Sequence, residues 1–264
     1  MDGATHQSGP FGRNHFMSLQ FSDTSTKRGI LQEIEMELGF QYGDITGNST
    51  KLNQFTSLVN LAWDNYLTIA LPASGTWQFD DSNQTAFPII KTNIVSGQRD
   101  YTFTTDQQGN LILDIYKVAI LAGATETLYQ EIKPIDAQSD EEGTSLVAED
   151  ATGGVPNRYD KTANAIFLDP NPNYAATNGL KVYINREASY FTSSDTTDKP
   201  GCPGIHHRYF VLKPAFDFAR RNSLSIEASL RNEVLLMEQG IAAYFSRRSR
   251  DERFIIEPEI ISHD

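Results

Sequence analysis

Apolar residues recur at two different periods along this chain, and the period switches twice. Near the start, Ile30 or Leu31, Ile34 and Leu38 stand three and four apart, and Leu52, Phe55, Val59, Ala62, Tyr66 and Ile69 repeat the spacing. Such spacing lines one face of an α-helix, whose period is about 3.6 residues. Thr24 or Ser25 is placed to cap the first helix and Gly39 to stop it; Ser49 is placed to cap the second, and Pro72, Ser74 and Gly75 to end it. Helical spacing returns after Pro203. His206–Asn222 carries Phe210, Val211, Ala215, Phe218 and Ala219 on one side, and Pro214 within it predicts a kink or a late start. Ser223 or Ser225 then opens a long helix striped by Ile226, Leu230, Val234, Met237, Ile241 and Phe245, with Gly240 costing about 1 kcal/mol relative to Ala.

From Thr76 to Gly201 the texture is different: short runs divided by Gly, Pro, Asn and Asp. The expected strands are Asp100–Thr104, Leu111–Leu121, Thr127–Ile135, Ala165–Leu168 and Leu180–Arg186. LKVYINR alternates as a half-buried antiparallel strand does. No amphipathic helix separates these runs, so βαβ units are excluded. The expected fold is therefore α+β. Helices from both chain ends need one another to bury their stripes, which gives a discontinuous four-helix bundle with an inserted antiparallel β-sheet or sandwich domain. The boundaries fall at 1–24 for a flexible N-terminal arm, 25–75 and 203–250 for the helices, 76–202 for the β-rich insert and 251–264 for a C-terminal extension.

Charge narrows the function. The 264 residues hold 22 Lys and Arg against 34 Asp and Glu, a formal charge of −12. From His206 onward nine bases balance nine acids, which leaves 13 bases and 25 acids before it; the whole excess lies in the first 205 residues. Asp136–Asp150 alone has six carboxylates and no base, the composition of a solvated loop. Acidity of this kind opposes a surface that grips nucleic-acid phosphate. No apolar run approaches the roughly 20 residues of a membrane span, and the N-terminus lacks the pattern of a signal peptide. A soluble protein made in the cytoplasm is expected. The lone Cys202 forms no disulfide within the chain and reads as an inert thiol.

Catalytic patterns are missing. There is no P-loop, no G-x-G-x-x-G and no G-x-S-x-G. His206 and His207 diverge by about 100° on a helix and so cannot form a two-ligand metal face. The loops at Asp81-Asn83-Thr85 and Asp169-Asn171-Asn173 have the 1,3,5 spacing of a calcium loop but place Ala86 and Tyr174 where it needs glycine, and Thr92 and Leu180 where it needs glutamate. No catalytic residue, metal or cofactor is assigned, and an enzyme is not expected. The one concentration of positive charge is Arg247, Arg248, Arg250 and Arg253. It suits either the negative end of a helix dipole or ion pairing with an acidic neighbouring subunit.

The order of these parts resembles a known family. A helix pair is followed by Trp77-Gln78-Phe79-Asp80, by DYTFTTDQQGNLILDIYKVAI, by GGVPNRYDKTANAIFLDPNPN, by LKVYINREASYF and by two terminal helices. This arrangement, over about residues 25–250, resembles the head-to-tail connector proteins of tailed bacteriophages, also called adaptor, head-completion or tail accessory proteins. The resemblance implies a non-enzymatic virion protein of the neck, made in the host cytoplasm. It implies a ring, commonly of about twelve copies, between portal and tail proteins. DNA would pass through the channel without specific binding. It implies that the extension, with Phe254, Ile255, Ile256, Ile260 and Ile261, reaches a neighbour or the portal and joins the arginines above as the expected interface; the alternative is a tail folded back on its own subunit. A different reading of the same residues is a β-rich receptor- or carbohydrate-binding tail module, with Trp77, Tyr101 and Tyr190 as its aromatic platforms. A hydrolase working through a carboxylate pair is a third and weaker reading.

Overall fold

The computed structural model describes residues 18–26, 28–74, 89–106, 109, 111–135, 153–162 and 165–248. Four helices and nine strands follow in the order α1 (Ile30–Glu37), α2 (Ser49–Ser74), β1 (Ile89–Ile94), β2 (Asp100–Thr102), β3 (Ile112–Leu121), β4 (Tyr129–Pro134), β5 (Gly153–Gly154), β6 (Arg158–Thr162), β7 (Ala165–Asp169), β8 (Asn171–Pro172), β9 (Ala176–Arg186), α3 (Tyr209–Arg221) and α4 (Glu227–Arg248). The fold is α+β.

The helical stripes meet in one apolar core. α2 packs on α3 and α4, and α3 packs on α1 and α4. Ile34, Phe55, Trp63, Tyr66, Phe210, Ala215, Ile241 and Phe245 lie within it. The chain before α1 also contributes. Phe21, in the segment expected to be an arm, is fully buried and stacks on Phe191 at 4.5 Å. Its N–H donates to the Asp198 carbonyl at 2.6 Å. Phe21 is what fastens residues 18–24 to the helical core.

Two caps differ from expectation. Thr24 and Ser25 lie outside α1, whose N-cap is Gly29 with no side-chain capping bond. The Ser25 and Thr26 N–H groups instead donate to Asp23, which closes a turn of its own. α2 is capped by Asn48, whose Oδ1 accepts from the N–H of Thr50 and Lys51 at 3.0 and 3.1 Å. Glu35, buried on α1, accepts from the N–H of Gly43 and Ile45 and so holds the loop between the two helices. Gly39 ends α1 as expected, at φ +70°. α3 runs through Pro214 without interruption.

The strands form a curled sheet in the order β1-β9-β3-β4-β6-β7-β2, with β5 and β8 as a separate pair. Its inner face is a second apolar core that includes Ile90, Val118, Ile132, Ile166, Leu168, Leu180, Val182 and Ile184. The expected all-antiparallel sheet is corrected to a mixed one. β4 and β6 pair in parallel through Lys133–Arg158 and Pro134–Tyr159, and β5 and β8 are also parallel. β4 and β6 are separated in sequence by the acidic block, a connection long enough to return the chain in the same direction. Three expected strands are trimmed: the structure has Asp100–Thr102, Ile112–Leu121 and Tyr129–Pro134.

Candidate functional site

The Arg-rich end of α4 borders an open apolar groove of about 780 Å³. Met237, Gly240, Ile241, Tyr244 and Arg247 form one strip along the last three turns of α4, because steps of three and four keep residues on one helix face. The opposite wall is Ile205 and His206, from the 3-10 turn Gly204–His206 that precedes α3. Gly240 opens the floor: a Cβ built there would meet nothing within 4 Å. Ile205 is 41% exposed on the lip. The volume lies within the roughly 300–1,000 Å³ of ordinary binding sites.

The wall is held in place by identifiable contacts. The His206 Nδ1 and the Tyr66 hydroxyl are hydrogen-bonded at 2.7 Å, and the Tyr244 ring meets the imidazole edge-on at 4.9 Å. Burial drives the His206 pKa down to about 4, and the neighbouring His207 adds to the shift. The ring is therefore neutral at physiological pH. His207 is also buried, with its pKa lowered chiefly by desolvation. Its Nδ1 accepts from the Leu19 N–H at 2.8 Å, so Nε2 carries the proton that faces the Cys202 carbonyl at 3.1 Å. Both histidines fasten the start of α3. Among the described residues no cluster of three or more His, Cys, Asp or Glu could hold a metal.

The expected interface residues divide sharply. Arg247 is exposed on the groove rim, and Arg248 closes α4. Arg250, Arg253, Phe254, Ile255, Ile256, Ile260 and Ile261 lie outside the described residues. The proposed aromatic platforms fare differently. Tyr101 is only 5% exposed, on the inner face of the sheet, where its hydroxyl accepts from the Val95 N–H. It is therefore core and not a platform. Its position in β2, opposite Ile166 of β7, turns the ring inward. Tyr190 is exposed and donates to Asp64 at 2.6 Å beside a shallow cleft with Asn60 and Arg221. Burial and the Asp64 carboxylate raise its pKa. Trp77 lies outside the described residues, as does the 81–85 loop. In the Asp169-Asn171-Asn173 loop the Asp169 carboxylate is held by Arg158 at 2.8 Å.

Two features escaped the sequence reading. Arg186 and Asp106 form a buried ion pair at 3.1 Å between the end of β9 and the segment after β2. The outer face of the sheet interleaves lysine with tyrosine: Lys181 lies 4.1 Å from the Tyr129 ring centre, and Lys117 lies 5.5 Å from that of Tyr183. A bulge in β3 between Ile115 and Lys117 brings Tyr116 within 6.2 Å of Tyr183. The alternation in LKVYINR signals such a face, but its cross-strand partners are set by non-local register.

No family model matches the chain, and no curated protein matches it. No helix among the described residues is long and apolar enough to cross a membrane.

Proposed function

We propose that the chain is a structural adaptor of the bacteriophage neck, a non-enzymatic ring component between portal and tail that surrounds the path of DNA. The reading rests on the order of sequence segments described above. The observation that carries it furthest is the open apolar groove beside Arg247, at the point where the Arg- and Ile-rich terminal residues begin. In this reading α1–α4 act as one discontinuous four-helix bundle and carry the β-rich insert as a separate docking module. The bundle and residues 251–264 meet neighbouring copies and the portal, and the sheet meets tail proteins. Heterologous contacts of this kind close into rings, commonly of about twelve copies. The assembled protein would reside in the virion.

The test is sedimentation of the purified chain with portal rings. The full chain is expected to travel with the portal, and a chain ending at Arg250 is expected to stay behind. A chain that ignores the portal but binds an immobilised glycan would overturn the adaptor in favour of the receptor-binding module. That second reading retains Tyr190 and its polar cleft but has lost Tyr101 to the core.

A further inference from the structure

We propose that the groove along α4 is the docking site of the chain's own C-terminal segment, Phe254–Ile261, in the free protein. Four observations converge on this occupant. The groove is mostly apolar and ends at Arg247, two residues before the chain passes out of the described structure. The segment that follows is Phe-Ile-Ile-Glu-Pro-Glu-Ile-Ile. In an extended chain alternate residues share a side. Phe254, Ile256, Pro258 and Ile260 then form an unbroken apolar side, while the other side is Ile255, Glu257, Glu259 and Ile261, with its two carboxylates at the centre. Pro258 disfavours helix and biases Glu257 to extended backbone, so it favours that pattern.

The lengths agree. From Met237 to Arg247 the groove strip is about 15 Å long at 1.5 Å per helical residue. Ser249–Arg253 gives up to about 17 Å of extended chain, enough to turn at the end of α4 and run back along it. The eight residues of the segment span about 26 Å when extended, longer than the strip they cover. Charge does not oppose it. Ser249–Arg253 holds two acids, Asp251 and Glu252, against two bases, Arg250 and Arg253, so the connection carries no net charge that would drive it from the rim at Arg247. Gly240 leaves room on the floor for a side chain from the incoming segment. A short tether holds such a segment at an effective concentration of about millimolar. Own-chain docking therefore outcompetes docking from a second copy at micromolar protein. The inference concerns the free chain and does not rest on the adaptor reading.

Hydrogen exchange on the full chain, without portal, tests it. Backbone amides within residues 254–261 are expected to exchange about tenfold more slowly than in Gly240→Trp, where the indole occupies the floor. The slowing should be unchanged when the protein is diluted. Ile256→Ser/Ile260→Ser, which leaves every described residue intact, should release the same amides and remain folded. Equal exchange in the wild type and the Ile256→Ser/Ile260→Ser chain would overturn the proposal. Protection that fades on dilution would overturn it too, because the groove would then hold the segment of a second copy.

Discussion

At the residue scale the buried polar groups are the most consequential. His206 sits in the wall of the groove with its pKa lowered to about 4, against about 6.5 in an unfolded chain. Between those values the unfolded state binds the extra proton, so folding stability falls as pH drops from 6.5 toward 4 and levels off below. The loss is expected to approach about 3 kcal/mol, since each pKa unit is worth about 1.4 kcal/mol. Thermal melts from pH 7.5 to 4 should show it, and His206→Leu should flatten that limb while lowering stability at pH 7, because the Tyr66 hydroxyl loses its partner. An acid limb unchanged by the substitution would assign it to other groups. Arg186 and Asp106 make a second case. Arg186→Leu removes the cation facing a buried carboxylate and should cost about 3–5 kcal/mol in urea unfolding, whereas replacing both partners with apolar residues should cost much less. Neither pair is legible in sequence, because Asp106 and Arg186 are eighty residues apart in the chain and meet only through strand order.

At the scale of elements the helices were the most legible part. Their apolar residues repeat every three or four positions, and Ile34, Phe55, Tyr66, Phe210 and Ile241 are all buried. Their caps were less so. Asn48 and Ser49 are both good capping residues, and only geometry shows that Asn48 accepts the two free N–H groups. Asn48→Ala should therefore lower stability by about 1 kcal/mol, and Ser49→Ala by much less, as equilibrium unfolding would report. β6 escaped notice because Arg158-Tyr159-Asp160-Lys161-Thr162 is charged, with Tyr159 its apolar anchor in the sheet core. Its pairing with β4 is parallel and non-local, so no local pattern signals it. The groove was hidden for another reason. Met237 and Ile241 read as part of a continuous core stripe, and both do pack in the helical core, but both also line the groove. A sequence shows which residues are apolar; it does not show where the facing element stops.

For the whole molecule, charge sets the terms on which the proposed ring would assemble. Twelve copies at −12 each would carry roughly −144 formal charges, a ring that repels phosphate wherever those charges face the lumen. Acidity thus opposes a grip on DNA and is compatible with a conduit. On the proposed adaptor reading, the positive end of the chain is the contact for an acidic neighbour. Replacing Arg247, Arg248, Arg250 and Arg253 with glutamine should weaken ring formation on the portal, more at 50 mM salt than at 500 mM, since screening erases long-range attraction at about a Debye length. Assembly of that variant equal to the wild type at both salt concentrations would leave those arginines only the helix dipole.

The most direct measurement is the native mass of the full chain, alone and after mixing with portal. The adaptor account predicts a single subunit of 29.5 kDa alone and a portal particle heavier by a fixed whole number of copies, close to about twelve. A portal mass that does not change, with the chain remaining at its own mass, would contradict it.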